Sequence, residues 1–256
     1  MALVVPGGRA LDARAMQAFT GVAQPPLEPR IQGVAHLADP TPFAIGVVLL
    51  VALALIRRRL LMAAVVAGVL FVANVTTQLL KPALADLRVI DLRGVEALHP
   101  GSWPSGHSTA AMSLALCAVL VVGPRLRPLA AVLGASYAIA VGYALVALGW
   151  HLPSDVLGGF LVAATFTLLG AAALAALEAR APAASPSRVG PPLPISLPAL
   201  AMTLAVLLTF AAAAVAVRAP GMTVSALEHP IALAAAAGIA ALGLALTAGL
   251  AVALRR

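Results

Sequence analysis

Few side chains in this chain can do chemistry, and the ones that can are spaced in a suggestive way. His151 and Asp155 stand four residues apart in GWHLPSD, one helical turn. At that spacing the carboxylate can accept a hydrogen bond from one imidazole nitrogen and leave the other free to attack. His107 closes the stretch HPGSWPSGH and supplies a second imidazole, able to donate and later accept a proton near neutral pH. Lys81 and, seven residues on, Arg88 are cations suited to a phosphate, the guanidinium as a bidentate fork. Between them and the histidines lie the Ser105 hydroxyl and the backbone around Gly106, where glycine permits turns that aim successive N–H groups at an anion. Neither a single interfacial histidine nor an H-x-x-x-D pair is diagnostic alone.

These residues interrupt a sequence that is 62% hydrophobic and 10% charged, with mean hydropathy +1.05. Soluble domains carry roughly 25% charged residues, so the composition predicts an integral membrane protein. Seven apolar runs, at about 43–56, 61–80, 108–123, 129–149, 156–177, 199–217 and 231–254, approach the length of about 20 residues that crosses a bilayer. They lack strand alternation, and lipid cannot satisfy free backbone groups, so each is expected to be a helix in an all-α polytopic bundle. The run at 43–56 is short for a span. Residues 10–20 place Leu11, Ala15 and Phe19 on one face, as in an amphipathic helix lying on the membrane surface.

Charge sets the orientation. With seven crossings and the N-terminus outside, the cytoplasmic segments hold nine arginines (57, 58, 59, 125, 127, 180, 188, 255, 256) against Glu178, whereas the outer segments are close to neutral. The formal net charge of +7 therefore reads as an orientation signal and not as a nucleic-acid surface. The same count brings Lys81, Arg88, His107, His151 and Asp155 out on one face, the extracytoplasmic one. The chain divides into an N-terminal extracytoplasmic segment (1–42), a five-helix core (43–178), a Pro/Ser-rich cytoplasmic linker (179–198) and a C-terminal two-helix pair (199–256) expected to be structural or oligomerising. No cleaved signal peptide is expected. Cys117 reads as a core hydrophobe, Trp103 and Trp150 as interface anchors, His36 and His229 as surface residues, and His99 has no partner at useful spacing.

The motifs resemble those of the type 2 phosphatidic acid phosphatase superfamily, membrane lipid phosphate phosphatases related to vanadium haloperoxidases. Its signature K-x6-R-P, P-S-G-H and S-R-x5-H-x3-D is similar to KPALADLRV (81–89), PSGH (104–107) and ALVALGWHLPSD (144–155). The resemblance covers about residues 10–177. It implies that His151 is a nucleophile forming a phosphohistidine, Asp155 its orienting partner, and His107 the acid for the leaving alkoxide. Lys81, Arg88, Ser105 and Gly106 would hold the phosphate, with no metal or other cofactor. Two departures stand out. Val89 replaces a proline, and Ala144-Leu145 replace Ser-Arg, removing one phosphate clamp whose role Arg93 is expected to take. The expected activity is hydrolysis of a lipid phosphate or polyprenyl (di)phosphate at the outer face of the plasma membrane. The alternative is a lipid-phosphate binding or translocating protein that has lost turnover with the arginine. The expected partners are the bilayer and the lipid substrate; oligomeric state is left open.

Overall fold

The computed structural model describes residues 6–20, 27–85, 100–180 and 230–254. Within them the chain forms eight α-helices: α1 (Pro6–Thr20), α2 (Glu28–Ala35), α3 (Pro40–Ile56), α4 (Leu60–Ala85), α5 (Gly106–Val121), α6 (Arg127–Ala147), α7 (Pro153–Arg180) and α8 (Pro230–Ala253). Short 3-10 turns occupy His36–Ala38 and Pro100–Ser102, and no strand occurs among the described residues. Prolines mark the starts of α2, α3 and α6, where a missing N–H is tolerated. Six of the seven expected runs are helices. The run at 199–217, the linker from residue 181 on, Arg88, Arg93, His99 and His229 lie outside the described residues, and residues 179–180, expected in the linker, end α7.

Four helices, α4, α6, α7 and α8, are long and apolar enough to cross a membrane. A fifth results if α2 and α3 are joined across a 46° bend. With Glu28, Arg30 and Gln32, α2 is too polar for hydrocarbon, so we read α3 as the apolar part and Asp39 as standing just ahead of it. The central helix, α5, has only 16 residues, about 24 Å at 1.5 Å per residue. It is also the most enclosed: Met112, Leu116, Cys117, Val119 and Leu120 are all buried, packed among α3, α4, α6, α7 and α8.

Small residues set the close approaches, as expected where lipid removes the hydrophobic drive between helices. A Cβ on Gly134 of α6 would fall 2.9 Å from that of Ala115 on α5. α8 joins the same core, with Gly243 against Ile139 and Phe160, and the Tyr143 hydroxyl donating to the Ala236 carbonyl at 2.8 Å. α1 packs on α6, α7 and α8 through Ala13, Ala15 and Met16, while Leu11, expected on its apolar face, is exposed.

Arg57, Arg59 and Arg127 gather at one end. Arg57 donates to the Val121 carbonyl at 3.0 Å, Arg59 pairs with Glu178 at 3.2 Å, and Arg127 donates to the Leu254 carbonyl. Two of these guanidiniums therefore sit on C-terminal carbonyls of α5 and α8, where cations are favoured. Lys81, His107, His151 and Asp155 are all at the other end.

Candidate active site

Helix-end chemistry builds this site. Gly149 (φ +70°) ends α6 in the left-handed conformation that glycine adopts without strain. The Trp150 N–H returns to the Leu145 carbonyl at 3.0 Å, the bond pattern of a Schellman turn, and the His151 N–H reaches the same oxygen at 3.3 Å. Leu145, where the resembled motif has arginine, thus fixes the His151 backbone while its side chain is fully buried.

α7 then starts at Pro153. The Asp155 carboxylate reaches back to accept the Leu152 N–H at 3.1 Å, half of a capping box, and its Oδ2 lies 3.3 Å from His151 Nδ1. Asp155 is fully buried and stands in the first turn of α7, where the helix dipole favours a carboxylate. With Nδ1 turned to Asp155, Nε2 is the His151 atom left to react. Asp12 of α1 accepts from both the Ser154 N–H (3.0 Å) and the Ser154 hydroxyl, closing the remaining donors of this turn.

Ser105 caps α5. Its Oγ accepts the Ser108 N–H at 3.3 Å, its carbonyl accepts the Thr109 N–H, and its own N–H donates to the Asp155 carbonyl at 3.0 Å. The last bond ties the two histidine-bearing turns together. Their contact is close: a Cβ on Gly159 would lie 2.7 Å from the Ser105 carbonyl, and one on Gly158 within 3 Å of the Trp103 indole. Trp103 is therefore packed against α7. Helix geometry leaves the Gly106 and His107 N–H groups without intrahelical acceptors, a ready anion site. Lys81 Nζ and Gln78 Nε2 stand over Gly106, 3.6 and 3.2 Å from where a Cβ would be. Lys81 is also within electrostatic reach of Asp155.

His107 has a partner that sequence reasoning missed. Its Nε2 lies 2.9 Å from Asp39 Oδ1, and Asp39 Oδ2 lies 2.9 Å from His36 Nδ1. Trp150 faces both rings, with centroids 5.6 Å from His36 and 6.3 Å from His107. The hydrogen bond from His107 holds the Asp39 carboxyl below its ordinary value; partial burial opposes this and His36 reinforces it. His36 is exposed, as expected of a surface residue, and Trp150 is partly exposed, yet both take part in this contact. The only sequence hint was Asp39 ahead of Pro40-Thr41-Pro42, which reads as a helix start.

Lys81, Ser105, Gly106, His107, His151 and Asp155 are thus neighbours at one end of the bundle, with Arg88 and Arg93 outside the described residues. Among the described residues no group of three or more His, Cys, Asp or Glu is placed to hold a metal ion. A family model described as the PAP2 superfamily matches residues 58–179. This segment belongs to the PAP2 superfamily. The PAP2 segment runs from the arginines at the head of α4 to the end of α7, so it contains all three motifs and both histidines. α1 to α3, including Asp39, precede it, and α8 follows. No curated protein and no solved structure gives a significant match.

Proposed function

We propose that the protein is a membrane phosphatase acting on a lipid phosphate or polyprenyl (di)phosphate through a phosphohistidine on His151. One observation carries this reading: Lys81, the α5 N-terminus with His107, and the His151–Asp155 pair share one end of the bundle, tied by the Ser105–Asp155 bond. The phosphoryl oxygens lie against Lys81 and the Gly106 and His107 amides. Ser105, whose hydroxyl caps α5, shapes this cradle, and we assign Arg88 and Arg93 to the same phosphate from their place in the motif.

Nε2 of His151 attacks the terminal phosphorus, the bond to the leaving oxygen breaks, and His107 gives that oxygen a proton, releasing the lipid alcohol from a monophosphate or the polyprenyl monophosphate from a diphosphate. Asp155 stabilises the cationic ring through Nδ1. Water then attacks the phosphohistidine and yields its proton to His107, so that inorganic phosphate departs and both histidines return to their starting states. Lys81 supplies the fixed positive charge, and we assign no metal to the reaction.

The arginines at the opposite end support an extracytoplasmic site in the plasma membrane, because positive charge collects on the cytoplasmic side. A phosphate head group lies at the depth where these helix ends emerge. The test is inorganic phosphate release from lipid phosphates by the purified protein in lipid. Release that persists in chelator and disappears in His151→Ala is expected. Saturable lipid-phosphate binding without release makes the protein a binder or translocator instead.

A further inference from the structure

The residue ahead of α3 is spent in an unusual way. An aspartate at a helix N-cap ordinarily accepts the N–H of the second or third helical residue. Asp39 is the N-cap of α3, in extended conformation, yet its side chain makes no capping bond. The sequence Asp-Pro-Thr-Pro explains part of this, since Pro42 in the third helical position has no N–H to offer. Both carboxylate oxygens go to imidazoles instead, Oδ1 to His107 Nε2 and Oδ2 to His36 Nδ1, each at 2.9 Å. The carboxylate crosses 68 positions of sequence to reach His107, so helix packing and not local structure brings it there.

We propose that Asp39, steadied by His36, is a positioning residue that fixes the His107 ring for proton donation to the leaving group. The proposal rests on the phosphatase reading and deepens it, because Asp39 lies outside the matched PAP2 segment. With Nε2 engaged by the carboxylate, Nδ1 is the ring atom that faces the leaving oxygen. When Nδ1 carries the transferable proton the ring is a cation, and Asp39 is its counter-charge. Trp150 lies against both His36 and His107 and directly precedes His151, so the orientation of the acid is coupled to the turn that carries the nucleophile. His36 limits the rotation of Asp39 by holding its second oxygen.

A proton donor matters most for a poor leaving group, which gives a test that loss of structure does not mimic. The parameter is kcat/KM, which covers steps through formation of the phosphoenzyme, for phosphatidic acid (an alkoxide leaves) and for 4-nitrophenyl phosphate (a stabilised phenoxide leaves). General acids contribute about 10² to 10⁴ in rate, so Asp39→Asn is expected to lose at least about tenfold on phosphatidic acid and less than about threefold on the aryl ester. Asp39→Glu, which keeps the carboxylate, should recover part of the phosphatidic acid rate, and His36→Ala should show the same substrate bias at smaller size. If Asp39→Asn loses equally on both substrates, or on neither, while His151→Ala abolishes release from wild type, the positioning role is overturned and the phosphatase reading stands. If wild-type release from both substrates and from a polyprenyl diphosphate is absent or independent of His151, the phosphatase reading falls and takes this role with it.

Discussion

Thr77 and Thr109, both fully buried, meet hydroxyl to hydroxyl at 3.0 Å between α4 and α5. Thr109 donates onward to the Ser105 carbonyl at 2.9 Å, so it accepts from Thr77, which also lies 2.9 Å from the Ala73 carbonyl. This contact sets the register of the two helices. Lys81 is one turn beyond Thr77, and Gly106 is three residues before Thr109, so fixing the threonines brings the ammonium over the α5 N-terminus. Thr77→Val keeps the shape and removes the bond, at an expected cost of about 1 kcal/mol of stability. Lys81 is then less firmly placed, and KM for the phosphorylated substrate should rise more than kcat falls. Unchanged kinetics would mean that packing alone holds the register.

Lys81 is expected to provide charge at the phosphoryl group and not merely packing. Removing a preorganised donor from such a site typically costs about 10² to 10³ in rate. Lys81→Met should lose turnover on that scale and weaken inhibition by inorganic phosphate, with Lys81→Arg falling between. Steady-state kinetics with phosphate as inhibitor check this, and a Lys81→Met protein as fast as wild type would remove Lys81 from the site.

The contact between the α5 and α7 turns leaves no space at Gly159, where a Cβ would meet the Ser105 carbonyl at 2.7 Å and Ser108 Cβ at 2.8 Å. Backbone is on one side of that clash, so relief requires the two histidine-bearing turns to separate. Gly159→Ala should destabilise the protein by about 1–3 kcal/mol and reduce activity with it. Gly238, with open space around it, is the control: Gly238→Ala should leave the melting temperature within a degree or two. Equal melting temperatures for both variants would contradict the close approach of α5 and α7.

The Asp39 contacts predict a pH dependence of stability. Because the His107 hydrogen bond, against desolvation and together with His36, lowers the folded-state value of Asp39, the carboxylate adds stability that is complete above its ordinary value of 3.8. That stability is lost as pH falls through the lowered folded value. The melting temperature of wild type should therefore exceed that of Asp39→Asn at pH 7, and the gap should narrow only below about pH 4. A gap that does not change down to pH 2 would show that the carboxylate charge is not what Asp39 contributes.

The local sequence determined a good deal. Apolar run length predicted the helices now seen as α3 to α8, because a segment in lipid must satisfy its own backbone. The i, i+4 spacing predicted the His151–Asp155 pair, and Pro-Ser-Gly announced the start of α5, since both depend on contacts within one turn. Arg57, Arg59 and Arg127, which the sequence put on one side of the crossings, do share the bundle end away from the histidines.

What only the tertiary structure decided are the contacts between helices of nearly identical composition. Rows of Ala, Leu and Val do not specify which faces meet, so nothing in the sequence joined Asp39 to His107, Thr77 to Thr109, Asp12 to Ser154 or Trp103 to Gly158. Those pairings follow from side-chain fit and from the need of each buried polar group for a partner, which is satisfied only once the bundle has assembled.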